Sequence, residues 1–404
     1  MRRAWTWKLR VGLLLASLPL ASSFLLTGVA QALSTGDVQP WQTTTALPVT
    51  TITAASATYN GYEYVLGGQG NNNAVYYAKL NSDGTVGAWQ TSANSIPGLQ
   101  QWRATAVAYN GYLYDIAGFD GGALNDVYYA PLNADGSVGT WVSSGSTLPD
   151  YLESLTSVVH DGYVYVIGGN EDGSVNVNTV YYAKLNNDGS VGSWTSSGST
   201  LPVATRRLAS AVYGDYVYVL GGYTSTYSNA VYYAKLNSDG TVGAWSTSAN
   251  VLPQGLEQLT AEAYNGFVYA IGGDNGSGPS AAVYYAPINP DGSIGTWQTV
   301  SNPLPQGLYT SVSAAYNGYL YEFGGNAQSG GVATVYYAGL TPNPVVPAGP
   351  MSNGAASAAA APDTGYGSPR GFDTAIVILI LTAVVASGTG LTLAGHSKRQ
   401  SRTS

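Results

Sequence analysis

Ion-pairing and stacking side chains are rare in this chain between residues 33 and 342, which carry only six basic residues, three of them arginines: Arg103, Arg206 and Arg207. Beside them stand Trp102, Tyr151, Glu153, Glu257 and Tyr309. Two carboxylates, Glu153 and Glu257, are the pair a glycoside hydrolase would need, one as acid and one as base or nucleophile. Arginine with tryptophan and tyrosine is instead the chemistry of a binding surface, which combines a planar cation with large, stiff rings. A metal centre is not expected. Cysteine is absent, and His160 is the sole histidine of this region, so the converging nitrogen and thiolate ligands of a transition-metal site are missing. No cofactor is expected either.

The elements that must position these groups are repeats. Val-Tyr-Tyr-Ala begins at Val75, Val127, Val180, Val231, Val283 and Val335, in steps of 52, 53, 51, 52 and 52 residues. A period near 50 is that of one propeller blade. Each repeat parses into four short strands. The first ends at an Asn-Gly or similar turn, for which both residues need positive φ. The second carries Tyr-x-Tyr and then Gly-Gly, and the third is Val-Tyr-Tyr-Ala. An Asp-Gly turn such as Asp188-Gly189 leads to the fourth, which holds Trp89, Trp141, Trp194, Trp245 or Trp297. Trp41 followed by Leu47-Pro48 is a fourth strand with no first three before it, while the last repeat lacks its own. Joining the two closes a ring and removes its exposed edges. The fold class expected is all-β, a six-bladed β-propeller closed by the N-terminal strand.

The Gly-Gly, the aromatic pair and the Trp ahead of Leu-Pro resemble the kelch repeat over roughly Gln39 to Leu340, with Ala117-Gly118 departing from Gly-Gly in the second copy. In that family these are packing positions, so the resemblance implies a kelch-like propeller and leaves function to be read from elsewhere. His160 occupies the slot that tyrosine fills in the other five repeats, which makes it a substituted packing position. The Asn-x-Asp-Gly turns lack the alternating acidic ligands of a Ca²⁺ loop and read as plain turns. Two propeller enzyme families share features with the chain. Galactose oxidase depends on a Tyr–Cys cross-link, which a chain without cysteine cannot form. Sialidases carry a Ser-x-Asp-x-Gly-x-x-Trp box, whereas in Asp83 to Trp89 the tryptophan falls one residue late.

Positions that vary among repeats are free of the shared packing demand. In a four-stranded meander the loops joining strand two to three, and strand four to the next strand one, emerge on one face. Aligned on the Asn-Gly turn, Ile52, Trp102, Glu153, Arg206, Glu257 and Tyr309 share a register and are expected to ring the channel mouth on that face. The ligand-binding candidates are thus Trp102, Arg103, Tyr151, Glu153, Arg206, Arg207, Glu257 and Tyr309.

Residues 1–32 read as a signal peptide with a basic start, an apolar stretch and cleavage after Ala32. The propeller is assigned to 33–341 and a Pro/Ala/Gly-rich stalk to 342–374. An uncharged span at 375–395 is long enough to cross a bilayer, and the basic tail 396–404 places its own side in the cytoplasm. Pro362-Asp363-Thr364-Gly365 ahead of that span is similar to the sorting signal of sortase substrates, with Ala361 where that signal has Leu. The resemblance implies cleavage between Thr364 and Gly365; the alternative is an ordinary linker before a permanent anchor. Either way the propeller is expected at the cell surface, held to the membrane through the C-terminal helix.

Between residues 33 and 342 there are 20 acidic and 6 basic residues, a net charge of −14, which argues against nucleic acid. The expected function is a non-enzymatic binding or adhesion protein with a glycan or protein ligand. An extracellular glycosidase and a structural surface coat are the alternatives.

Overall fold

The computed structural model describes residues 36–340, apart from positions 71, 72, 99, 100, 172 and 174. The signal peptide, stalk, sorting motif (Pro362, Thr364, Gly365), membrane helix and tail all lie outside the described residues, as does Ala32.

Six four-stranded antiparallel sheets form the ring. Blade 1 is Ala55–Tyr59, Tyr62–Leu66, Val75–Lys79 and Gln90–Thr91; blade 2 is Thr105–Tyr109, Tyr112–Phe119, Ala123–Pro131 and Val142–Ser143. Blade 3 is Thr156–His160, Tyr163–Ile167, Val180–Lys184 and Thr195–Ser196; blade 4 is Ala209–Tyr213, Tyr216–Leu220, Val231–Lys235 and Ser246–Thr247. Blade 5 is Thr260–Tyr264, Phe267–Ile271, Val283–Pro287 and Gln298–Thr299. Blade 6 has Val312–Tyr316, Tyr319–Phe323 and Val335–Gly339 of its own. Its fourth strand is Gln42–Thr43, which pairs Gln42 with Tyr337 and Thr43 with Tyr336. The expected closure by the N-terminal strand is the one observed.

Six apolar clusters hold the ring, one between each pair of blades. Between blades 1 and 2, for example, Ala57, Tyr64 and Leu66 meet Ala106, Leu113 and Ala130. Both faces of every inner strand are therefore buried, and so these strands lack a polar side. The tyrosines belong to this packing. The central tyrosine of strand two stacks on the second of Val-Tyr-Tyr-Ala in five blades, from Tyr64–Tyr77 at 6.1 Å to Tyr321–Tyr337 at 6.4 Å, with Tyr269–Tyr285 of blade 5 tilted at 6.3 Å, a separation at which offset rings attract. Each Asp-Gly turn then lays its glycine on the preceding blade. A Cβ at Gly189 would stand 2.4 Å from the Tyr112 ring, and one at Gly136 would stand 2.5 Å from Tyr62. At the closure Gly36 takes this slot, against Phe267 and Tyr285 of blade 5.

The aspartates of these turns cap them. The Oδ1 of Asp188 accepts from the Ser190 amide at 3.0 Å and its hydroxyl at 2.6 Å, and Asp83, Asp135, Asp239 and Asp291 do the same. These bonds hold each carboxyl below its usual pKa.

Candidate functional site

The connections from one blade to the next start from a buried anchor, such as Leu148 or Leu201, and run inward to the axis. At the axis six residues adopt the left-handed conformation: Thr53, Arg103, Ser154, Arg207, Gln258 and Thr310, with φ between 53° and 56°. None is glycine, so each carries a backbone cost of about 1–2 kcal/mol. A closed cycle of backbone bonds offsets it. Arg103 N donates to Thr53 O, Ser154 to Arg103, Arg207 to Ser154, Gln258 to Arg207, Thr310 to Gln258 and Thr53 to Thr310, at 2.8 to 3.2 Å. The blades are thus tied head to tail at the channel mouth.

This cycle shifts the mouth by one residue from the register the sequence suggests. A cavity of about 120 Å³ there is lined by the side chains of the left-handed six and the residues that follow them. A second cavity of about 130 Å³ shares Leu155, Leu208 and Leu259 with it and is otherwise walled by alanines, serines, threonines and Val312 in and just before the first strands. The preceding residues point outward and bridge to the loops between strands two and three: Trp102 to Phe119, Glu153 to Asn170, Arg206 to Tyr223, Glu257 to Asp274 and Tyr309 to Asn326. A residue at a left-handed position reverses the side-chain direction, and nothing in the composition of these six announces one.

Gly-Gly exists because these connections pass close beneath it. A Cβ at Gly169 would sit 2.9 Å from the Glu153 carbonyl, and one at Gly222 would sit 2.8 Å from that of Arg206. In blade 2 Ala117 takes the first position with φ 56°. There a register shift lets strands two and three run on to Phe119 and Ala123, so the blade 2 loop is a tight hairpin instead of an open surface.

The side chains of the predicted site gather on this face in two arrangements. In the first, an arginine of the mouth reaches to the carboxylate at the entrance of the next blade. Arg103 Nη1 donates to Glu153 Oε2 at 2.8 Å, and Arg207 Nη1 to Glu257 Oε1 at 2.8 Å. Both carboxylates are buried, at 2% and 4% exposure. Burial raises the pKa of Glu257, and the Arg207 charge opposes that shift. The Arg103 guanidinium also stands 4.3 Å from the Trp102 ring and 5.6 Å from that of Phe119. Each carboxylate of the supposed hydrolytic pair is accordingly committed to an arginine.

The second arrangement surrounds Arg206. Its guanidinium lies 5.2 Å over Tyr223 and donates through Nη1 to the Gly173 carbonyl at 3.4 Å. No carboxylate pairs with it among the described residues. Tyr223 meets Tyr227 edge-on at 5.6 Å, and the Asn176 amide ties the hairpin of blade 3 to the Tyr223 carbonyl at 2.8 Å. On the same face Tyr151, Val175, Val203 and Tyr227 are 58%, 55%, 43% and 37% exposed. Tyr309 stands apart over blade 6, its hydroxyl accepting from Asn326 Nδ2. The sequence missed Tyr223, Tyr227, Val175 and Val203; their only signal was their place in variable loops.

His160 lies on the opposite face, 9% exposed, with Nε2 3.5 Å from Asp161 and 3.7 Å from Asp215. In other blades the tyrosine of this slot accepts from the next blade's turn, as Tyr213 does from the Gly266 amide. The packing role expected of His160 matches its place.

Comparison with known proteins agrees with this architecture. The chain is 28% identical over 271 residues to Kelch-like protein 35 of Mus musculus, covering 66% of this chain and 42% of that one. It thus spans less than half the length of that relative. Among solved structures, that of YjhT superposes with a TM-score of 0.61 at 19% identity, over 72% of this chain and 95% of the other. No protein-family profile matches the chain. The protein is a kelch-repeat-like six-bladed β-propeller.

Proposed function

We propose that the protein is a non-enzymatic binding propeller, carried on the cell surface, that meets a protein ligand with the variable face over blades 3 and 4. The observation that carries this reading is Arg206. It is the one arginine of that face without a carboxylate partner among the described residues, and it lies over Tyr223, which meets the exposed Tyr227, on a face that also exposes Tyr151, Val175 and Val203. A cation on a tyrosine, rimmed by apolar surface, is the composition of a protein-binding hot spot. The likeness to a kelch-like protein supports the same class of role. Export and anchoring rest on the sequence of residues 1–32 and 375–395. The glycosidase reading is disfavoured because Glu153 and Glu257 are buried in separate ion pairs.

The test pans a displayed peptide library on the full-length protein and measures the affinity of the peptides recovered, with a glycan array alongside. Arg206→Ala should weaken protein or peptide binding at least tenfold, and Tyr151→Ala less. Trp102→Ala, whose ring is engaged by Arg103, should act mainly through the mouth. Peptides indifferent to Arg206→Ala, or ligands found only on the glycan array, would overturn the reading.

A further inference from the structure

Three glutamates interrupt the aliphatic walls between blades, and all three lie at the blade that closes the ring. Glu63 occupies the strand-two position held by Leu113, Val164, Val217, Val268 and Leu320 in the other blades. Leu113 faces the preceding blade, packing with Ala57 and Tyr64, so Glu63 faces blade 6. Glu322 takes the position of Val65, Val166 and Val219, which Asp115 takes in blade 2, and faces blade 5, where Thr260 donates to it at 3.2 Å. Glu262, on the first strand of blade 5, faces blade 6 and accepts from Ser313 at 2.7 Å. All three are 0% exposed.

Two seams away from the closure carry hydroxyl pairs instead. Between blades 2 and 3 a hydroxyl pair, Thr105 and Ser157, meets at 2.6 Å, and between blades 3 and 4 Thr156 and Ser210 meet at 2.6 Å. At the seam of blades 5 and 6 the matching hydroxyls, Thr260 and Ser313, each donate to a glutamate instead of meeting one another, and at the seam of blades 6 and 1 Glu63 accepts from Thr58. Blade 6 is also the blade whose fourth strand comes from the far end of the chain. The contact of its own three strands with Gln42–Thr43 and blade 1 is therefore the one in the ring that no chain connection spans.

We infer that blade 6 is a pH-responsive latch, whose two seams tighten as the medium acidifies and loosen as it turns alkaline. The groups at work are few. Glu322 accepts from Thr260 and Ser311, and Glu63 from Thr58, with Ser56 beside it. Among the described residues Glu63 and Glu322 act electrostatically on Glu262, and Glu63 acts on the Tyr64 phenol. One oxygen of Glu63 and one of Glu262 have no hydrogen-bond partner, which suits a neutral acid better than a carboxylate.

Burial accordingly pushes Glu63 and Glu322 up to about 8, and Glu262 well above its ordinary range, against the opposing pull of their hydroxyl partners. An opened seam returns each group to water and to the usual carboxylate range. Between the two values the closed seam holds protons that the open one releases. Rising pH therefore favours opening, by at most about tenfold per pH unit for each carboxyl, and acid favours closure.

Hydrogen exchange on the full-length protein tests this, at pH 5.5 and 8.5 with times scaled for the intrinsic rate. Protection of Val335–Gly339 should fall at least tenfold more than that of Val180–Lys184 in blade 3. E262Q and E322Q, which mimic the protonated acids, should each reduce the difference, and adding E63Q should remove it. Asp115, also fully buried and pushed up to about 8 by burial, lies one seam away, between blades 1 and 2. D115N should leave the difference in place. An equal fall in all blades, or a difference that survives in the glutamine variants or vanishes in D115N, would overturn the latch. None of these readouts depends on a ligand, so they stand apart from the Arg206 site.

Discussion

Arg207 and Glu257 show how the mouth uses charge. Removing the arginine leaves Glu257 buried with only the weaker pull of Arg206 against it, whereas removing both members leaves no buried charge to desolvate. Arg207→Ala should lower the unfolding free energy by about 2 kcal/mol at neutral pH, and adding Glu257→Gln should recover most of the loss, as read by a urea double-mutant cycle. The pH dependence has a definite sign. Burial already raises the Glu257 pKa against the Arg207 charge, so without the arginine it rises further. The penalty of Arg207→Ala should then shrink as pH falls and the acid becomes neutral. A penalty that is constant with pH would mean that the arginine acts through packing alone. Glu153 and Glu257 were legible in the sequence as unusual residues at one register. Their burial was not, because it depends on an arginine that sits one position into the neighbouring repeat and points across the seam.

At the scale of the element, the turns separate what a repeat requires from what a turn requires. Gly111 and Gly189 have nearly the same backbone, with φ of 82° and 84°. Nothing lies within 4 Å of a Cβ built on Gly111, while one on Gly189 would enter the Tyr112 ring. Gly111→Ala should cost only the left-handed conformation, about 1 kcal/mol. Gly189→Ala adds a displaced ring from a close-packed seam, a further loss on the order of 1–3 kcal/mol. Thermal melts of the two variants make the comparison, and equal losses would show that the blades do not lock through this contact. Both glycines were legible as turns from their Asn-Gly and Asp-Gly pairs. The tyrosine beneath Gly189 was not, since contacts between repeats leave no mark within one repeat. The left-handed ring was hidden for a related reason. Thr53, Arg103, Ser154, Arg207, Gln258 and Thr310 share a conformation without sharing a residue type, because the constraint is a cycle of backbone bonds.

For the whole molecule the ring is only as strong as its closure, and the closure was the most legible feature of the sequence because an orphan Trp41 strand had nowhere else to go. Beyond the two pairs of strand residues and the flanking backbone bonds of Gln39, Thr44 and Leu47 to blade 6, Asp37 ties it to blade 5. Its Oδ1 accepts from the amides of Val38 at 2.8 Å and Ser301 at 2.9 Å, and its Oδ2 from the Ser301 hydroxyl at 2.6 Å. Asn302 bonds the Val38 carbonyl at 2.8 Å, and Trp41 Nε1 donates to the Asn302 carbonyl at 3.1 Å. The N-terminal segment is thereby pinned to blade 5 as well as paired with blade 6. Asp37 is buried, at 3% exposure. Asp37→Ala strands three donors at that junction and should cost about 2–3 kcal/mol, lowering the Tm. Asp291→Ala, which removes an exposed turn cap, should change the Tm far less. If closure is cooperative with the rest of the ring, the Asp37→Ala protein will still melt in one transition. If blade 6 separates first, calorimetry will show two, and the edge of Val335–Gly339 left open will pair with other copies and aggregate. The second outcome is expected at alkaline pH and the first in acid, because the carboxyls at the seams of blade 6 oppose closure only as their protons leave.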